Sequence, residues 1–348
     1  MTCKGKNNQN TVIMKISRCV HNPIVIPGIE SWRKVVTFNP GIIYEEGKFY
    51  LYERAAGSLR PFRTFIGLHE SVDGIHFKLV SDKPVFSSEM LGLPEGSVQD
   101  ARVVKIDGRY YMSYAMQPYG FDCLPTGEGI PDYPTEKYPG WKKMAYPMIT
   151  QSGIAVSDDK INFTHLCYTS PPEIDDRDHV LFPEKIRGKF ALMRRPKEFI
   201  GEKYGTMQPG IWLSYSNNLM EWTEPRLLAV AENDWEGGKI GAAASPVRTS
   251  EGWLLLYHGV DDKSVYRVGA MLLDIDDPMK VIARTSGFIM EPETYYEKFG
   301  LVIPNVVFPT GNVIKDGILY IYYGCCDSNI SLATVPVDEL VYFILNGQ

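Results

Sequence analysis

The chain has 348 residues, 44% hydrophobic and 22% charged, the ordinary composition of a soluble globular protein with a real core. A net charge of −6, with no long run of Lys or Arg, argues against nucleic acid and anionic membranes as partners. No stretch is apolar enough to span a bilayer or serve as a secretory signal, and six scattered cysteines lack metal-like spacing, so a cytoplasmic protein with free thiols is expected.

One pattern recurs along the chain: a short apolar strand, a turn with Gly, a strand rich in Tyr and Leu, then a second hairpin. The first copy is IIYEEGKFYLYERA followed by FIGLHESVDGIHF, with Gly47 at the turn. The second is RVVKIDGRYYMSYA with Gly108, followed by SGIAVSDDKINF. Between its two hairpins, residues 119–150 are rich in Pro, Gly and Tyr and show no alternation. Such a loop reads either as a functional rim or as a tolerated insertion. The third copy is EKIRGKFALMRRP with Gly188, then GIWLSYSNNLMEW; the fourth is PVRTSEGWLLLYHGV with Gly252, then YRVGAMLLDIDDP. The fifth is GNVIKDGILYIYYG with Gly317, then ISLATVPVDEL.

The turn glycines fall 61, 80, 64 and 65 residues apart. Asp107-Gly108 and Asp316-Gly317 are strong hairpin signals, because tight hairpin turns demand positive φ. A unit of about four antiparallel strands repeated radially makes a propeller. The expectation is therefore an all-β, five-bladed β-propeller, one domain over 1–348, with blades starting near 39, 100, 183, 245 and 309. A β-sandwich would not repeat one motif five times, and a solenoid would repeat at shorter periods.

The segments entering the innermost strands converge on the propeller axis. They bring two carboxylates there, Asp100 and Glu184. A carboxylate beside apolar walls or a second carboxylate suits general acid–base work, since both raise its pKa. The bland alternatives are a strand-end cap for Asp100 and an ion pair for Glu184. Arg177, Arg194, Arg195, Lys239 and His258 lie at or near inner-strand positions of the third and fourth copies. Converging into one funnel they would bind an anion such as phosphate; as separate surface pairs they would do nothing. There is no Gly-rich phosphate loop, no HExxH and no Ser nucleophile elbow.

Several motifs together resemble glycoside hydrolase family 130, the β-mannoside phosphorylases and related β-mannosidases. They are Gln99-Asp100-Ala101-Arg102, Val180-Leu181-Phe182-Pro183-Glu184-Lys185, Lys239-Ile240-Gly241-Ala242, Tyr257-His258-Gly259-Val260, Tyr266-Arg267 and Pro304-Asn305-Val306-Val307-Phe308-Pro309. The resemblance implies a five-bladed propeller with Asp100 as catalytic acid. It implies phosphate binding by Arg177, Arg195, Lys239 and His258, and sugar binding by Asn39, Arg54, Tyr266 and Asp327. Asp178 stands where the family carries Asn, and Pro40 where it carries Ser.

The leading expectation is an inverting phosphorylase that cleaves β-linked manno-oligosaccharides with inorganic phosphate as co-substrate, giving α-mannose 1-phosphate. No metal and no organic cofactor is implied. An inverting β-mannosidase on the same scaffold would need a second carboxylate as base, from Asp178, Glu184, Glu236, Glu291 or Glu293. A non-catalytic carbohydrate-binding propeller is the third reading. Linkage, acceptor and oligomeric state stay open at this level.

Overall fold

The structure is a computed structural model that describes residues 14, 16–120 and 150–347. Most of the 119–150 insertion lies outside the described residues. The strands form five small antiparallel sheets in a five-bladed propeller arrangement. Blade 1 contains β2 (Val36–Glu45), β3 (Lys48–Ala56), β4 (Thr64–Ser71) and β5 (Lys78–Leu79). Blade 2 contains β6 (Ser97–Ile106), β7 (Arg109–Gln117), β8 (Gln151–Ser157) and β9 (Thr164–Tyr168). Blade 3 contains β10 (Asp176–Leu181), β11 (Phe190–Pro196), β12 (Ile211–Ser216) and β13 (Arg226–Ala229).

In blade 4 the inner edge is split into β14 (Lys239–Ala242) and β15 (Val247–Arg248), both paired with β16 (Trp253–Val260). β17 (Tyr266–Leu273) and β18 (Val281–Arg284) complete it. Blade 5 contains β19 (Val307–Lys315), β20 (Ile318–Cys325) and β21 (Asn329–Pro336). Its outermost strand comes from the other end of the chain: β1 (Ser17–Arg18) pairs antiparallel with β21. The ring is thus closed by a strand that the sequence repeat does not announce. Among the described residues two α-helices are added, α1 (Tyr295–Lys298) and the amphipathic α2 (Val337–Asn346). No helix among the described residues is long and apolar enough to cross a membrane.

The turns explain why the repeat was visible. In blades 1, 2, 3 and 5 the inner hairpin turns on two residues that both have positive φ, as in Asp107 (50°) and Gly108 (83°), or Asp316 (52°) and Gly317 (75°). Type I′ turns require this and match the twist of the strands they join. A second device recurs in blades 1–3. Asp73 Oδ1 accepts the amide protons of Ile75 and His76, Asp159 Oδ1 those of Ile161 and Asn162, and Asn218 Oδ1 those of Met220 and Glu221. Each is braced by a Ser two residues earlier. These are Asx turns written as Ser-x-Asp or Ser-x-Asn.

The alternating strands bury one apolar face on each neighbouring blade. The core consequently rests mainly on five clusters, one per blade interface. Phe49, Leu51 and Tyr322 join blades 1 and 5; Ile66, Val103 and Met112 join blades 1 and 2. Ile154 and Leu192 join 2 and 3, Met193 and Leu255 join 3 and 4, and Leu256 and Ile321 join 4 and 5. Helix α2 seals the last of these with Leu340 and Ile344.

Blades 3 and 4 begin earlier than expected. Their inner strands start at Asp176 and Lys239, not near 183 and 245. Asp-Arg-Asp-His, charged though it is, already pairs with β11, ahead of the Phe182-Pro183 entry that the repeat suggested.

Candidate active site

The inner strands of blades 1–3 share one irregularity. Each places two residues opposite one of its partner strand: Asn39-Pro40, Asp100-Ala101 and Asp178-His179. The first residue of each pair lies in the left-handed region, at φ 44°, 52° and 52°. Asn and Asp tolerate that conformation better than other side chains with a Cβ. A bulge of this kind re-aims a side chain, and it makes Asn39, Asp100 and Asp178 equivalent in the three blades.

Asp100 is thereby set beside blade 1. Its Oδ1 accepts from Asn39 Nδ2 and from Arg54 Nη1, both at 2.9 Å. Oδ2 has no hydrogen-bond partner among the described residues. The side chain is 17% exposed, open to a ligand yet largely walled. Arg54 is itself fixed, with its guanidinium 4.5 Å from the centre of the Phe38 ring. Asp327, with φ 50°, follows β20. Burial and the nearby Asp100 carboxylate push its pKa up to about 6, against the opposing pull of Arg54 and Lys239. The same interactions show that the sugar-binding candidates and Lys239 share one electrostatic environment.

The cationic half is built from blades 3 and 4. Arg177 chelates Asp175 with Nε and Nη2 at 2.7 and 2.9 Å, and Lys197 Nζ joins the same carboxylate at 2.8 Å. Arg195 Nε donates to Asp178 Oδ2 at 2.5 Å. Lys239 Nζ donates to Tyr266 Oη at 2.9 Å. Burial, reinforced by Arg195 and Arg177, lowers the Lys239 pKa to about 7, with Asp178 and Asp175 pulling the other way. His258 stacks on Tyr266 and meets Phe308 edge-on, with ring centres 5.9 and 4.8 Å away. Its burial pushes the imidazole down to about 3, so it is neutral at physiological pH. Gly241 is what allows β14 to pass so close: a Cβ there would lie 2.4 Å from both Asp178 Oδ2 and His258 Cε1.

Arg102 joins the two halves and was not singled out from sequence. Its Nη1 donates to the Asp100 carbonyl at 2.9 Å, and its Nε to the Ala243 carbonyl at 2.7 Å. Nη2 lies 3.7 Å from Asp178 Oδ1. The signal was present in Gln-Asp-Ala-Arg, where the arginine directly follows the bulge. A cavity of about 390 Å³ lies on the downstream side of the bulges, lined by Ile42, Val103, Pro183, Ser245 and Asn312, and shares only Arg102 with this cluster.

Other candidates are placed elsewhere. Neighbouring strand residues face opposite sides, so Arg194 turns away from Arg195 and binds Asp176 with both Nε and Nη2. Glu184 is exposed and pairs with Arg248 at 3.0 Å, not with Lys185; it does not sit at the Asp100 position of its blade, which Asp178 occupies. Glu236 is fully buried. It caps a turn at Asn233 and binds Tyr257 and Arg284. Glu291 pairs with Arg267, and Glu293 with Arg18. None of these four glutamates contacts Asp100.

The site of this five-bladed propeller thus sets the unbonded oxygen of Asp100 beside a nest of cations, an arrangement that suits acid chemistry next to a bound anion. Known proteins narrow that chemistry. Residues 4–346 match the family model described as beta-1,4-mannooligosaccharide phosphorylase, and the chain belongs to glycoside hydrolase family 130. It is 34% identical to a 1,2-beta-oligomannan phosphorylase of Thermoanaerobacter sp., over 95% of this chain and all of that one. It is 36% identical to a beta-1,2-mannobiose phosphorylase of the same organism, with the same coverage. A beta-1,4-mannooligosaccharide phosphorylase of Ruminococcus albus is 32% identical over 88% of this chain and 84% of that one. Among solved structures, the beta-1,2-mannobiose phosphorylase of Listeria innocua in complex with beta-1,2-mannobiose superposes with a TM-score of 0.75, covering 95% of this chain and 99% of that one. At 24% identity that likeness speaks to the fold.

Proposed function

We propose that the chain is an inverting glycoside phosphorylase that cleaves β-mannosides with inorganic phosphate to give α-mannose 1-phosphate. The observation that carries this reading is the division of labour between two equivalent aspartates. Asp100 is 17% exposed and keeps its unbonded oxygen within reach of a ligand, whereas Asp178 is 5% exposed and held well below the usual carboxylate range by Arg195, His258 and Arg102, which makes it a poor base toward water. A hydrolase of the inverting type needs both an acid and a base carboxylate; a phosphorylase needs one, because phosphate is the nucleophile. The names of the relatives support the same reading.

In the mechanism, Asn39 and Arg54 hold Asp100 through Oδ1 and leave Oδ2 for the proton. Asp100 protonates the departing oxygen, directly or through a sugar hydroxyl. Arg54, Asn39, Tyr266 and Asp327 hold the mannosyl unit. Arg177, Arg195, Lys239 and the neutral His258 hold phosphate on the opposite face, where it attacks the anomeric carbon. Preorganised cations around the anion supply charge stabilisation without reorganisation. The two relatives matched along their whole length carry β-1,2 names, which makes β-1,2-mannobiose the first substrate to try.

The test is product analysis of β-1,2- and β-1,4-mannobiose digests with and without inorganic phosphate. Mannose 1-phosphate formed only with phosphate supports the reading. Free mannose at a phosphate-independent rate would overturn it.

A further inference from the structure

The Asp178 carboxylate lies inside the cluster that the phosphorylase reading assigns to phosphate, and any role for it in anion selection rests on that reading. It is 5% exposed. Its Oδ2 is engaged by Arg195 Nε at 2.5 Å and lies 3.6 Å from His258 Nε2. Among the described residues no donor bonds its Oδ1; Arg102 Nη2, at 3.7 Å, is too long for a hydrogen bond. One carboxylate oxygen is therefore committed and the other keeps its accepting capacity.

Two donors beside it are equally unspent. Arg195 Nη1 and Arg102 Nη2 are buried and make no hydrogen bond among the described residues. Buried guanidinium donors are costly to leave unpaired, so they mark where anion oxygens fit. An anion seated against both guanidinium groups brings one of its own oxygens against Asp178. Two unprotonated oxygens in a desolvated contact repel. An anion that retains a hydroxyl donates a hydrogen bond there instead.

We propose that Asp178 accepts a hydrogen bond from a protonated oxygen of the bound anion, so that the site selects hydrogen phosphate and rejects oxyanions without a proton, such as sulfate. Burial alone would raise the Asp178 pKa, but Arg195, His258 and Arg102 more than offset it and hold the group well below the usual carboxylate range. It is thus an acceptor at neutral pH. Inorganic phosphate carries at least one P–OH in both of its main forms near neutrality, and sulfate carries none. Holding the hydroxyl at Asp178 also turns the deprotonated oxygens toward the sugar. An Asn here would offer donor as well as acceptor atoms and could not discriminate in this way.

The test uses the intact wild-type protein. Its thermal midpoint is titrated with phosphate, arsenate and sulfate at pH 7 and constant ionic strength, and sulfate is assayed as a competitor of phosphorolysis. Phosphate and arsenate, which both keep a hydroxyl, should bind comparably. Sulfate should bind about 10²-fold more weakly or worse, as expected where a site built for a hydroxyl meets an analogue lacking it. Asp178→Asn, if folded by circular dichroism, should narrow the gap to about 10-fold or less by gaining sulfate affinity. The wild-type anion series stands if that variant fails to fold. Sulfate within about 3-fold of phosphate, with phosphorolysis intact, overturns the role of Asp178 alone. Absence of phosphate binding together with phosphate-independent turnover overturns both this role and the phosphorylase reading.

Discussion

Asp100 occupies a backbone position that few side chains tolerate, so the substitution that isolates its chemistry is Asp100→Asn, which keeps both the left-handed conformation and an acceptor for Asn39 and Arg54. Turnover should fall by about 10²-fold or more, with a small change in the Michaelis constant. Near-wild-type turnover would remove Asp100 from the mechanism. Lys239 gives a pH signature. Its pKa, brought down to about 7, leaves it charged below that pH and neutral above it. The Michaelis constant for phosphate should therefore rise as pH is raised through about 7, while that for the sugar stays flatter. Lys239→Arg, charged throughout, should flatten the phosphate profile. An unchanged profile in that variant would mean that another group titrates.

At the level of strands, the bulges do the positioning and the close approach of β14 confines the result. Gly241→Ala forces a Cβ into Asp178 and His258. Phosphate affinity should fall by about 10-fold or more, with a stability loss of about 1–3 kcal/mol from overpacking. Kinetics of phosphate saturation check the first, denaturant titration the second. Equal wild-type values in both would show that the cluster yields. The strand level also shows where sequence reading succeeds and stops. Turn glycines announced blades 1, 2, 3 and 5 because a type I′ turn admits few alternatives, and Asp100, Arg195, Lys239 and His258, drawn from separate motifs, lie in one cluster. Glu184 was misplaced because a proline before a strand pattern looked like a strand entry, whereas the inner strand had begun at Asp176. Arg194 and Arg195 read alike as adjacent cations, but the alternation of a strand sends them to opposite faces. The bulges themselves have no local signature: Asn39-Pro40, Asp100-Ala101 and Asp178-His179 share only a first residue that tolerates positive φ.

The whole molecule is a ring whose seam lies in blade 5. There Arg18 reaches from β1 to Glu297 at 2.7 Å and to the exposed Glu293 at 2.9 Å, and Glu297, fully buried, also takes a hydrogen bond from Tyr323. Arg18→Ala strands a buried carboxylate and should cost about 3 kcal/mol, visible as a lower unfolding midpoint with kcat unchanged. A loss below about 0.5 kcal/mol would mean that the seam holds without this pair. The two-residue β1 was invisible in sequence because so short a strand carries no periodicity, and it acquires its identity only from β21. The seam also sets a timetable. Asn22 is bonded to Leu332, 310 residues later, so on the ribosome the opening segment waits for nearly the entire chain, about 15–60 s at ordinary synthesis rates. During that interval the first blade stands with one flank bare. A nascent chain of this kind should be a chaperone client until blade 5 emerges, and stalling translation just before residue 329 should leave β1 without the strand that it pairs with.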